Sequence, residues 1–174
     1  RGGSYIRLSK GATGSALTFT AGTATTDANG VATFTGLVAT GLVGNRTLRF
    51  TAGAVNATSG TVAVNAGLPK TVTVTTQPSA SVQSGVAFPV QPVMTVRDSL
   101  LNLVPNQLVT ISVATGSPLT FANGTATTNA LGVATFSGLS ASGVVGARTV
   151  VFTAGTAVST PASSVTVTSG AIGK

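Results

Sequence analysis

Two side-chain carboxylates, Asp27 and Asp98, make up the whole acidic inventory of this chain, which has no His, no Cys and no Glu. General acid–base catalysis and nucleophilic catalysis draw mainly on those missing types, held within reach of one another. Asp27 lies in Thr26-Asp27-Ala28-Asn29-Gly30 and Asp98 in Val96-Arg97-Asp98-Ser99-Leu100. Each is a turn context in which a carboxylate bonds the backbone just ahead of it. A paired-carboxylate site needs both acids flanking one bond, and a calcium site gathers several oxygens with more than one carboxylate. Lys10, Lys70 and Lys174 are the only lysines, and none lies in a nucleophile turn. The sequence therefore predicts a protein that is not an enzyme, with no catalytic, cofactor-binding or metal-ligating residue. One covalent alternative is a Lys-to-Asn isopeptide staple, with Lys70 as the amine and Asp98 as the helper carboxylate.

The elements around these residues come in two copies. Thr13 to Gly53 and Thr115 to Gly155 are identical at about 29 of 41 positions, at a constant offset of 102 residues. That spacing exceeds the 20 to 50 residues of solenoid and propeller units and matches one small domain. The chain reads as part of a tandem array: residues 1–68 form a first, partial repeat and residues 69–174 a complete one. Gly67 to Lys70 form the joint, too short for wide wandering. Tyr5 to Lys10 align with Val109 to Val113 with about one inserted residue, and nothing before them corresponds to Lys70–Leu108. A sandwich without those strands has open edges and an uncovered apolar face. The expectation is a piece of a longer array; the alternative is a different segment that covers the first unit.

Asp, Glu, Lys and Arg together are 6% of the chain, against about 25% in ordinary soluble domains. A surface of Thr, Ser, Asn, Gln and Gly opposes contact with a copy of itself only weakly. The net charge of +7 comes from nine scattered Lys and Arg residues and few acids. No basic run interleaves with aromatics, so nucleic acid is not an expected partner. No stretch of 18 apolar residues occurs, so no helical membrane insertion is expected.

Thr, Val, Ser and recurrent Gly argue against helix and for short strands bounded by turns. The complete repeat reads as strands at Thr71 to Thr75, Ala87 to Arg97, Leu108 to Val113, Leu119 to Thr127, Val133 to Phe136, Arg148 to Thr153 and Ser164 to Thr168. Seven short strands in a domain of this size predict an all-β, two-sheet sandwich. Alternation places Val150 and Phe152, and in the first copy Leu48 and Phe50, toward the core, with Thr149 and Thr153 toward water. Pro78, Pro89 and Pro92 require an edge or a bulge. Arg46 and Arg148 hold the same place in both copies, where the aliphatic stem covers a sandwich end and the guanidinium bonds loop carbonyls.

Val96 to Val109, VRDSLLNLVPNQLV, resembles the V-x-D-x-x-G-N-x-V-P-x-x-x-V segment of bacterial immunoglobulin-like repeat domains of the invasin and intimin type. Thr26 to Phe34, TDANGVATF, resembles the later turn and strand of the same domains. The motif glycine is Leu101 here, and Asp27 is replaced by Asn129 in the second copy, which argues against Asp27 as a ligand. The resemblance implies tandem immunoglobulin-like β-sandwiches, the first incomplete, in a rigid extracellular repeat of the bacterial cell surface.

The functional expectation is a non-enzymatic structural or adhesive rod or stalk whose partners are neighbouring repeats or copies of the same protein. One alternative is a self-assembling subunit of a cell-surface filament or sheath, with the first domain completed by a partner strand. Another is a carbohydrate-binding accessory module of a secreted enzyme, with host or surface glycans as partners; it requires exposed aromatics, of which only Tyr5 is a clear candidate.

Overall fold

The structure, a computed structural model, describes residues 3–11, 14–160 and 163–170, and none of these is helical. No helix among the described residues is long and apolar enough to cross a membrane. The chain divides into two compact units, Arg1–Ala66 and Gly67–Lys174. The seam falls between Ala66 and Gly67, because the Gly67 amide donates to Asp98 Oδ2 at 2.9 Å and so belongs to the second unit.

The first unit contains β1 (Tyr5–Lys10), β2 (Leu17–Thr20), β3 (Thr23–Thr25), β4 (Val38–Gly41), β5 (Gly44–Arg46), β6 (Leu48–Ala52), β7 (Val55–Thr58) and β8 (Val62–Val64). A sheet of order β3-β1-β6-β7 is its largest layer, and β2-β4 and β5-β8 are separate antiparallel pairs. β1 runs against β6 with Leu8 opposite Phe50.

The second unit contains β9 (Thr71–Thr76), β10 (Ser81–Gln83), β11 (Val93–Arg97), β12 (Leu108–Thr115), β13 (Thr120–Ala122), β14 (Thr125–Thr127), β15 (Val133–Thr135), β16 (Ser140–Ser142), β17 (Gly146–Ala154), β18 (Ala157–Val158) and β19 (Ser163–Thr168). Its main sheet has the order β10-β19-β17-β12-β14, and β15-β11-β9 forms the facing layer with the β13-β16 pair. β12 runs against β17 with Ile111 opposite Phe152, the same register as Leu8 and Phe50 in the first unit. Val109, Val150, Phe152 and Val165 from the main sheet are fully buried, as are Met94, Val96 and Ala134 from the other layer. The architecture is that of an immunoglobulin-like β-sandwich, with period-2 alternation deciding which side chains enter the core.

Three strand expectations need correction. Leu119 to Thr127 is two strands, because Asn123 takes φ 51° and turns the chain between β13 and β14. Ala87 to Arg97 pairs as a strand only from Val93 onward. Before that, Pro89 and Pro92 lack N–H donors, and Gln91 bonds Leu139 instead: its Nε2 donates to Leu139 O at 3.2 Å and its Oε1 accepts from Leu139 N at 2.9 Å. β10, β16 and β18 lie in runs too short for alternation to mark. Thr149 and Thr153, expected to face water, are half-buried.

Phe152 is fully enclosed whereas Phe50, its counterpart, is half-buried. Phe152→Ala is therefore expected to cost the second unit about 3–5 kcal/mol, and Phe50→Ala to cost the first on the order of 1–2 kcal/mol. Urea denaturation followed by amide signals from each unit measures both; equal losses would contradict the difference in covering.

Candidate functional site

Both aspartates build backbone turns, and Asn129 builds a third of the same design. Asp27 Oδ1 accepts from the amides of Asn29 and Val31 at 2.8 and 2.9 Å. Asp98 Oδ1 accepts from Leu100 and Asn102 at 2.8 and 2.9 Å. Asn129 Oδ1 accepts from Leu131 and Val133 at 2.9 and 3.1 Å. The fourth residue of each turn has positive φ: Gly30 at 80°, Leu101 at 64° and Gly132 at 66°. Leu101 thus keeps the backbone shape of the glycine it replaces, at the steric cost that a side chain pays in the left-handed region. Because an amide oxygen serves at Asn129 as well as a carboxylate does at Asp27, this role needs an acceptor and no charge.

Asp98 differs from the other two in being buried, with a second oxygen that carries further load. Its Oδ2 accepts from Asn102 Nδ2 and from the Gly67 amide, both at 2.9 Å. All four donors are amides, and the carboxylate ties the entry of the second unit to the turn after β11. Burial, the largest single influence, favours the neutral acid. The hydrogen bonds from Asn102, Gly67 and Leu100 together outweigh it and hold the carboxyl below its ordinary range. These partners leave Asp98 a structural knot, and the isopeptide chemistry considered for Lys70 finds no support in its bonding.

Arg46 and Arg148 are also buried, and each braces the loop ahead of its own strand. Arg148 donates from Nε to Ser117 O at 2.7 Å, from Nη1 to Ala147 O at 2.9 Å and from Nη2 to Val144 O at 2.7 Å. Arg46 repeats two of these three bonds, from Nη1 to Asn45 O at 2.9 Å and from Nη2 to Leu42 O at 2.8 Å, while its buried Nε has no hydrogen-bond partner among the described residues. Gly116, with φ 104°, lets the chain pass over the Arg148 stem; a Cβ there would lie 2.6 Å from Arg148 Cδ. The braced tips expose Leu42 and Val43 in one unit and Val144 and Val145 in the other.

The aromatic contact at the centre of each unit is also duplicated. Phe34 and Phe50 meet edge to face at 5.6 Å and 64°, Phe136 and Phe152 at 5.4 Å and 64°. What covers them differs. In the second unit Val72, Met94 and Val96 are buried on this side; in the first no described residue takes their place, and Ile6, Phe34, Leu37 and Phe50 remain half-buried. An apolar groove of about 140 Å³, lined by Ile6, Phe50, Ala52, Val55, Asn56 and Ala57, lies on that unit. Val55 is 72% exposed where its counterpart Ala157 is 6% exposed.

Among the described residues no group of three or more His, Cys, Asp or Glu side chains could share a metal ion. A concavity of about 450 Å³ in the first unit, beside Arg7, Leu17 and Phe19, is lined by no carboxylate, and its counterpart in the second unit, about 350 Å³ beside Ile111, Leu119 and Phe121, is lined by no ionisable group.

No family model matches this chain, and no curated protein matches it. Among solved structures it is similar to the Escherichia coli adhesin FdeC, at 19% identity and a TM-score of 0.46 over 75% of this chain and 42% of that one. It is similar to invasin, a bacterial integrin-binding protein, at 15% identity and 0.45 over all of this chain and 34% of that one. It is also similar to Yersinia pseudotuberculosis InvD, at 15% identity and 0.47 over 98% of this chain and 48% of that one. The chain spans less than half the length of each.

The three turns contain their own control experiment. Asp27→Asn is expected to leave stability within about 0.5 kcal/mol, since Asn129 already does that work. Asp98→Asn is expected to cost about 1–3 kcal/mol, because an amide nitrogen would face the Gly67 and Asn102 donors. Chemical denaturation of the two variants tests the contrast. Because the Asp98 carboxyl is held below its ordinary value near 3.9, its stabilising contribution is complete above that value and is lost as pH falls through the folded one. Acid titration of the native protein should show this loss, and Asp98→Asn should lack it.

Proposed function

We propose that this chain is a stretch of tandem immunoglobulin-like sandwiches that works outside the cell, at a bacterial surface, as a structural or adhesive rod and carries out no reaction. Both aspartates and both repeated arginines that sequence reading singles out are occupied with structure: Asp27 and Asp98 close turns, and Arg46 and Arg148 brace loops. The single observation that carries the proposal is that the same braces and the same aromatic contact recur at an offset of 102 residues, with the same pairing of Leu8 and Phe50 in Ile111 and Phe152 across one inserted residue. Repetition of scaffold without repetition of any reactive constellation supports a protein whose product is distance. The adhesin FdeC and the integrin-binding invasin, to which the fold is similar, agree with this reading.

The mechanism is mechanical. In the second unit β10, near the start, lies parallel to β19, at the end, with Ser81 opposite Thr166, Val82 opposite Val167 and Gln83 opposite Thr168. Tension applied at the ends of that unit loads these backbone bonds together, in shear, so several must break at once. Val72, in β9, also bridges Ser159 in parallel.

A second reading is a subunit of a surface filament or sheath completed by a partner strand; the low charge of the chain, which opposes contact between copies only weakly, favours it. The carbohydrate-binding alternative is the weakest of the three: Tyr5 is 60% exposed, and the Phe side chains are buried or half-buried.

Single-molecule extension tests the rod. The second unit should give one force peak followed by a lengthening of about 300 Å, from roughly 3.4 Å per residue less its folded span. Extension of that unit without a resisting peak would count against a load-bearing role.

A further inference from the structure

The two units pair their strands alike, yet the outer faces of their main sheets differ in charge. Leu8 is buried opposite Phe50, so alternation turns Tyr5, Arg7 and Ser9 of β1, and Arg49 and Thr51 of β6, to the other side of the sheet. Pairing sets Arg7 between Thr23 of β3 and Thr51 of β6, and Arg49 between Ser9 of β1 and Thr58 of β7. Arg7 and Arg49 are therefore diagonal neighbours on one face, and both are exposed. In the second unit the same pairings place Leu108, Thr110 and Val151 where the first has Tyr5, Arg7 and Arg49. At these positions only the first unit is charged.

The second unit, with β9, β10 and β11 in place, still exposes Leu108 and Ser112, the counterparts of Tyr5 and Ser9. A full set of early strands thus leaves this face open. Beside it β2 leaves β1 to pair with β4, and the gap is the concavity of about 450 Å³, lined by Arg7, Ser9, Leu17, Thr18, Phe19 and Thr23. Its counterpart is present in the second unit as well. Arg46, Arg97 and Arg148 donate to backbone carbonyls, whereas among the described residues the Arg7 and Arg49 guanidiniums make no hydrogen bond or ion pair. The two side-chain carboxylates are engaged elsewhere, in their own turns. Two like charges on one face gain from an anion set between them.

We infer that this face, with the cleft at its edge, is a binding site for an acidic polysaccharide bearing carboxylate or sulfate groups. A planar guanidinium meets such a group with two parallel N–H donors. Hydroxyls of Ser9, Thr18, Thr23 and Thr58 lie around the two arginines and match the hydroxyls of a sugar chain. Other polyanions suit the face less well: nucleic acid calls for several stacking aromatics, and an anionic membrane for a denser basic cluster or an apolar insertion. Recognition here is by charge and hydroxyl, so it needs no platform of aromatic rings. The site rests on the sheet of the first unit and is independent of the rod reading.

The test measures binding of the full chain to dextran sulfate, to polygalacturonate and to neutral dextran, at about 0.15 M salt, where exposed charges are screened over about 8 Å. At least one acidic polymer should bind, and dextran should not. Arg7→Gln combined with Arg49→Gln is expected to weaken that binding about tenfold or more. Lys70→Gln combined with Lys174→Gln removes the same charge from the second unit and is expected to change it less than about twofold. No binding to either acidic polymer, equal binding to dextran, or equal losses from the two pairs would overturn the inference, the last by reducing it to attraction by net charge. So would tighter binding to phosphatidylglycerol vesicles that depends on the same two arginines, since the occupant would then be a lipid surface.

Discussion

A β-layer needs a neighbour on two counts: its edge carries backbone donors and acceptors, and its inner face carries apolar side chains that gain from leaving water. In the second unit both needs are met: β11 runs along β15, and Val72, Met94, Val96, Phe136 and Phe152 are all buried. In the first unit neither is met on that side. The contrast between Phe50 and Phe152, and between Val31–Thr33 and β15, follows from this one difference. What persists without covering is the β1–β6 ladder and the Phe34–Phe50 contact, both made within the sheets that are present.

Polar side chains here are spent on backbone. With so few charges, ion pairs do little of the holding, and the turns close on amide-to-oxygen bonds from Asp27, Asp98 and Asn129. Arg46 and Arg148 bond carbonyls in place of acids, and Gln91 substitutes for a stretch of ladder that two prolines interrupt. A surface short of charge also opposes lateral contact only weakly.

Composition showed two side-chain carboxylates and no His, Cys or Glu, and the offset of 102 residues marked two related stretches. Alternation was enough to place Val150 and Phe152 in the core, because period 2 is a local property of the strand. The short strands β10, β16 and β18 escaped it, since two or three residues hold no period; the break at Asn123 escaped it too, although the Asn-Gly pair at 123–124 is a turn signal that alternation does not read.

Tertiary structure alone decided the rest. That Asp98 is buried and also holds Gly67, while Asp27 is exposed and holds only its own turn, depends on what the fold brings beside each. That one Val-Ala-Thr is a strand and the other is not depends on a neighbour distant in sequence. Local letters set which conformations a segment can adopt; the partner across the ladder, which completes its hydrogen bonds and covers its apolar face, decides which one it keeps.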